Sequence, residues 1–349
     1  MNTLLLDALA CRNVSSRPPV WLMRQAGRYM SSYRKIRERY SFLEMCHDPE
    51  LVAQITLLPI QEFGMDAAIL FSDILVIPEA LGVGLHFEEK IGPIIHRPLA
   101  SPQDIEILPP VEIERLRFVA EGIRNLKPHL SVPLIGFCGA PFTLASYMIE
   151  GKSSRDLRKT KQWMLSDSTS FHRLLSQLTD WIVPYLQMQI EAGVEAIQIF
   201  DSWANYLADP QFKEFSLAYL RIILQQLPKE IPVILFCRGS SVFGPQLATI
   251  QPACVGLDWN CEIEQMRARI SPSVALQGNL DPDVLCAPLP VIKKEVIRIL
   301  DAMQGEPGFI FNLGHGIFPE VPEQAVHYLI ECVKEYEPWR KEALATSSF

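Results

Sequence analysis

Two arginines, Arg24 and Arg28, flank Gly27 directly after an apolar run at 20–23. A guanidinium offers a rigid fork of donors that matches a carboxylate, so this pair suits an acidic ligand. Asp73 lies in AAILFSDILVIPEALGVGL, which apart from Ser72 is apolar until Glu79. A carboxylate there is costly unless something compensates it. It could cap the next helix or pair with an arginine; a functional role is preferred, because Asp73 follows an apolar run directly. His315 stands between Gly314 and Gly316, which would let the backbone bend and the imidazole project. The other histidines, at 47, 86, 96, 129, 172 and 327, form no ligand spacing. HExxH and HxH are both absent, so no catalytic metal is expected. No G-x-S-x-G elbow occurs, and Ser72 and Ser202 have no obvious base beside them in sequence, so covalent serine chemistry is unsupported.

These groups need a scaffold. Eight short apolar runs, at 20–23, 67–71, 133–137, 196–200, 232–236, 254–257, 274–276 and 309–311, have the character of strands buried on both faces. Helix signals fill most of the intervals. Asp48-Pro49, Ser101-Pro102, Asp209-Pro210 and Asp281-Pro282 each place a capping side chain before a proline. Apolar residues recur at helical spacing at Val52, Ile55, Leu58 and Phe63, and again over 212–225. Alternating strand and helix predicts an α/β fold, and eight strands predict a closed (β/α)8 TIM barrel. An open doubly wound sheet is the alternative. It commonly carries a glycine-rich phosphate loop, and Gly82-Val83-Gly84 lacks both the third glycine and a clear strand before it. Residues 85–98 read as a β-hairpin insertion turning around Lys90 and Gly92. No linker divides the chain, so residues 1–349 form one expected domain, with 341–349 as a flexible tail.

Barrel enzymes place their chemistry at the C-terminal ends of the strands. Here that rule selects Arg24 and Gln25; Ser72 and Asp73; Gly139; Asp201 and Ser202; Arg238; Asp258 and Asn260; Gln277 and Asn279; and Asn312 with His315.

Composition narrows the class. Hydrophobic residues make up 48% and charged residues 21%, as in a globular chain with a large core. A net charge of −8 with no basic stripe argues against nucleic-acid binding. The cations Arg24, Arg28, Arg34, Lys35, Arg37 and Arg39 concentrate within 24–39, and 34–39 reads as a solvated helix face. The eight cysteines contain no CxxC pair and are expected to be buried free thiols of a reducing cytosol. The amino-terminal apolar patch has no early cation and is interrupted by Asp7, unlike a signal segment. No apolar run is long enough to span a bilayer, so a cytoplasmic protein is expected.

Residues 19–34, PVWLMRQAGRYMSSYR, and 136–151, GFCGAPFTLASYMIEG, closely resemble the two signature motifs of the uroporphyrinogen decarboxylase family. The segments AAILFSDILVIPEALG, IFDSWANYL, QGNLDP and NLGHGIFPEVP extend the similarity to about residue 335. The resemblance implies a single-domain barrel, a homodimer, and an enzyme that removes carbon dioxide from four acetate groups of uroporphyrinogen III. It implies no cofactor and no metal. It implies carboxylate binding by Arg24 and Arg28 with Gln25 beside them, and an Asp73 that meets the pyrrole N–H groups. Tyr147, Phe200, Ser202 and His315 complete the implied substrate site, and Asp73, Arg24 and Tyr147 the implied catalytic set. Relatives often carry His-Ala-Gly where this chain has Trp203-Ala204-Asn205-Tyr206, which alters the rim near Ser202. Methyltransferases on the same fold hold zinc through a His-x-Cys pair; Phe236 and Arg238 occupy those positions here.

Overall fold

The computed structural model describes residues 3–88 and 91–339; the expected tail at 341–349 and the hairpin turn at Lys90 lie outside them. Seven parallel strands form one sheet in the order β1 (Ala68–Ile69), β4 (Leu134–Gly139), β5 (Ala196–Asp201), β6 (Val233–Cys237), β7 (Cys254–Gly256), β8 (Ala275–Leu280), β9 (Phe309–Leu313). The first apolar run closes the barrel. Val20 bridges Phe311 of β9 in parallel, and the Asp66 N–H just before β1 donates to the Val20 carbonyl at 2.8 Å. All eight runs are therefore strands or, at 20–23, a bridge. The remaining pair, β2 (Leu85–Glu88) and β3 (Gly92–Ile95), is the antiparallel hairpin expected from 85–98.

Two separate apolar clusters follow from parallel strands buried on both faces. The larger packs strands against the surrounding helices. The smaller gathers Ala67, Ile135, Ala196, Ile234, Cys254, Ala275 and Ile310 inside the barrel, where small and branched residues fill the lumen. The helix Leu4–Leu9 seals its base with Leu5, Ala8 and Leu9. The lumen is thus solid at the bottom, and open space is left at the strands' C-terminal ends.

Helix starts follow local chemistry, with two corrections. Asp48 accepts from the N–H groups of Glu50 and Leu51 and starts Pro49–Phe63. Asp281 caps a 3-10 turn, Pro282–Cys286. Asp209 is not a cap: Ala208 holds that position, and the Asp209 carboxylate pairs with Lys213 at 2.7 Å one turn on. The Ser101 hydroxyl donates to Asp104 instead of accepting from the helix. All eight cysteines are free thiols, but only Cys46, Cys138, Cys237 and Cys254 are buried, and Cys286 is exposed.

Arg17 anchors the closing strand. Its guanidinium grips Asp66 at 2.5 and 2.7 Å, and Asp66 also accepts the Val20 N–H at 2.9 Å. Asp66 is almost wholly buried, whereas Arg17 keeps 21% of its side chain exposed. Removing the cation weakens the compensation of a buried carboxylate that keeps the Val20 N–H and the nearby Lys334 charge, and solvent at the arginine moderates the loss further. Arg17→Ala is expected to cost about 2 kcal/mol in urea unfolding.

Candidate active site

Above the solid lumen lies a cavity of about 580 Å³, within the usual range for a small-molecule site. A chain of hydrogen-bonded buried side chains leads to its wall residue Met23. Trp21 donates to Gln277 at 3.0 Å, Gln277 donates to Gln198 at 3.1 Å, and Gln198 reaches the Met23 sulfur at 3.6 Å.

The cavity brings together Arg24, Gln25, Arg28, Asp73, Tyr147, Phe200, Ser202 and His315, the eight residues that the family resemblance implied. Gln25 lines it with its amide already committed: Oε1 accepts from the Leu22 N–H at 3.3 Å and Nε2 donates to the Ala67 carbonyl at 3.1 Å. It joins the closing strand to β1 and so holds Arg24 in place.

Arg24 occupies the left-handed backbone region, with φ +59, an uncommon conformation for a side chain of this size. A Cβ on Gly316 would stand 2.3 Å from Arg24 Cδ and 2.6 Å from its Cγ. A Cβ on Gly314 would meet the Trp259 backbone nitrogen at 2.5 Å. Neither glycine has positive φ. Close approach, not the bending expected above, is what requires them. Among the described residues, neither Arg24 nor Arg28 forms an ion pair. Arg34 steadies the segment by donating to the Arg28 and Tyr29 carbonyls at 2.9 and 2.6 Å.

Asp73 Oδ1 accepts the Leu75 N–H at 2.8 Å in a local turn; Oδ2 has no hydrogen bond among the described residues. Burial pushes its carboxyl up to about 6, against the pull of the Leu75 N–H and the Arg24 charge, with Glu79 adding to the rise. His315 is held down to about 4 by burial and by the charges of Arg24 and Arg238. At neutral pH the imidazole is uncharged, able both to donate and to accept. Tyr147 sits in the helix Pro141–Glu150, two turns beyond β4, and burial raises its phenol. It therefore keeps its proton. Its ring meets Trp203 edge-on at 5.5 Å, so the altered rim at 203–206 reaches the cavity through Tyr147.

The strand-end rule selected too many residues. Asp201, Asp258, Asn279 and Asn312 are buried and hydrogen-bonded to neighbouring chain. Gly139, Arg238, Asn260 and Gln277 are also absent from the cavity wall. The rule also missed Arg37, which lines the cavity although 34–39 read as a solvated face. The helix Ser31–Arg37 buries Tyr33 and Ile36, and half-buried Arg37 at its end borders the cavity while donating to the Tyr40 carbonyl at 2.8 Å. Glu88 and Ile91 of the hairpin, with Phe42, complete the mouth. Among the described residues no three His, Cys, Asp or Glu side chains gather as a metal site. None of the described helices is long and apolar enough to cross a membrane.

A parallel barrel with a cation-lined cavity and a buried carboxylate at its strand ends is the architecture of a small-molecule enzyme. Residues 1–336 match the family model for uroporphyrinogen decarboxylase. The uroporphyrinogen decarboxylase of Protochlamydia amoebophila is 64% identical over 335 residues, covering 96% of this chain and 92% of that protein. That of Pseudomonas paraeruginosa is 46% identical over 327 residues, covering 91% and 92%. A methyltransferase from Methanosarcina mazei superposes with a TM-score of 0.80 at 21% identity, covering 96% of this chain and 98% of its own, a likeness of fold. The chain belongs to the uroporphyrinogen decarboxylase family.

Proposed function

We propose that this chain is a carboxy-lyase that converts the four acetate side chains of uroporphyrinogen III to methyl groups, giving coproporphyrinogen III for haem synthesis. One observation carries the reading: an ionisable carboxylate, Asp73, stands in a cavity also lined by Arg24, Arg28 and Arg37. A polyacid with a ring of N–H donors needs both charges, cations for its carboxylates and an anion for its centre.

Decarboxylation leaves an electron pair on the carbon that loses carbon dioxide. The substrate supplies its own sink. A proton added to a pyrrole carbon makes a cationic, imine-like ring. The C–COO⁻ bond breaks, its electron pair neutralises that ring as an exocyclic methylene, and a second proton converts the methylene to methyl as the ring returns the first. Each turn thus takes up one proton and releases one carbon dioxide. No external electron carrier is required, and no cofactor or metal is assigned.

In this scheme Arg24 and Arg28 hold carboxylates by charge-assisted hydrogen bonds. Ionised Asp73 stabilises the ring cation as a fixed charge. Tyr147 and neutral His315 supply hydrogen bonds, and Phe200 and Ser202 shape the wall. An arginine is a weak proton donor by its pKa, so Arg24 acts through charge and through water it holds. The catalytic set is Asp73, Arg24 and Tyr147. The continuous sheet supports reading residues 1–349 as one domain. A cytoplasmic homodimer belongs to the same proposal, through the family resemblance, and sedimentation would read the dimer.

Asp73 must be ionised to work. With its carboxyl near 6, turnover is expected to fall as pH drops through about 6. An Asp73→Asn variant should show residual activity without that limb. The proposal is tested by carbon dioxide stoichiometry in buffer containing a chelator: four equivalents per substrate support it, and none refutes it.

A further inference from the structure

Asp201 is a buried carboxylate with no place in the scheme above. It is 1% exposed, at the end of β5, between the wall residues Phe200 and Ser202. Its two oxygens accept from two different elements: Oδ1 from the Thr143 hydroxyl at 2.6 Å, and Oδ2 from the Ser216 hydroxyl at 2.5 Å. Two hydroxyl donors on one carboxylate favour its ionised form. Burial pushes this carboxyl up, and the two hydroxyls oppose the rise.

The partners give the arrangement meaning. Thr143 precedes Tyr147 by four residues on the helix Pro141–Glu150, so both project from one face. The Thr143 hydroxyl, donating to Asp201, also accepts the Trp203 backbone N–H at 3.2 Å, and the Trp203 ring packs edge-on against the Tyr147 ring. Ser216 comes from Lys213–Leu217, a single π-helical turn inside a longer helix. Such turns re-aim side chains that a regular helix would direct elsewhere. One carboxylate therefore locks three segments: the helix that carries Tyr147, the strand end that carries Ser202, and the helix behind them.

We infer that Asp201 is a positioning residue for the reaction, fixing the Tyr147 hydroxyl over the cavity through Thr143 and Trp203. The inference rests on the functional reading of Tyr147 above. Its direct consequence is coupling: anything that unlocks Asp201 acts on turnover through Tyr147.

The test compares Thr143→Val, which removes the hydroxyl, with Thr143→Ser, which keeps it, each alone and with Tyr147→Phe. Asp201→Asn, which can still accept from one hydroxyl, serves as an intermediate variant. Thr143→Val is expected to lower kcat about tenfold, the effect of one hydrogen bond, with KM within about twofold. Thr143→Ser should restore kcat to within about twofold, and Asp201→Asn should fall between. Adding Thr143→Val to Tyr147→Phe should cost nothing further. Multiplicative losses, or a lowered Tm with kcat unchanged, would overturn the inference and leave Asp201 a fold-stabilising group. A readout without substrate keeps the inference separate from the assigned reaction. In ring-labelled tyrosine NMR, the Tyr147 signal, identified by its loss in Tyr147→Phe, should move in Thr143→Val and stay in place in Thr143→Ser. An unmoved signal in Thr143→Val refutes the positioning role whatever the enzyme acts on.

Discussion

Replacing Asp73 with asparagine is expected to lower turnover by roughly 10²–10³-fold, the effect of removing a preorganised electrostatic stabiliser. The fold should become more stable at the same time. The folded carboxyl sits near 6 against an ordinary 3.8, so the folded state binds more protons in between. Stability attached to Asp73 is therefore full below about pH 3.8 and lost as pH rises through about 6. At pH 7 the charge is a burden that an amide does not carry, and the expected rise in Tm is roughly 2–4 °C. Loss of activity with gain of stability separates a functional carboxylate from a structural one. Tyr147→Phe, which removes one hydrogen bond, should lose only about tenfold. Equal losses at Asp73 and Tyr147 in folded protein would contradict the roles assigned to them.

Gly316→Ala is expected to reduce kcat/KM by about 10²-fold, the scale associated with misplacing a reacting group by an ångström. The added methyl would overlap the middle of the Arg24 side chain, with Cδ at 2.3 Å and Nε at 2.9 Å. Arg24 cannot swing away freely, because its backbone is held at φ +59 by the Gln25 amide and the closing strand. The guanidinium must leave its position over the cavity. Steady-state kinetics with circular dichroism would check this. Near-normal kcat/KM in Gly316→Ala would mean that the position of Arg24 is not critical.

Much of this architecture was legible because parallel strands buried on both faces read as short continuous apolar runs. That signal is independent of the helices between them, so even the run at 20–23, which survives only as a bridge, was found. Strand ends then located Arg24, Asp73, Ser202 and His315. The same rule brought in Asp201, Asp258 and Asn279, because a strand alternates its side chains between lumen and helix layer and the sequence does not mark which way the last residue points. Tyr147 lies two turns along a helix and was reached only through motif resemblance. Arg37 was misjudged because a cationic helix face looks the same in sequence whether it meets bulk solvent or borders a cavity. The roles of Gly314 and Gly316 were invisible for a related reason: their constraint is a contact across the barrel with Trp259 and Arg24, residues distant in the chain.

The most direct test is anaerobic incubation of the purified chain with enzymatically generated uroporphyrinogen III. Products are oxidised to porphyrins and separated by carboxylate number. The cavity described here predicts a descending series that ends at the four-carboxylate product, with nothing added. A folded protein that leaves all eight carboxylates in place would contradict it.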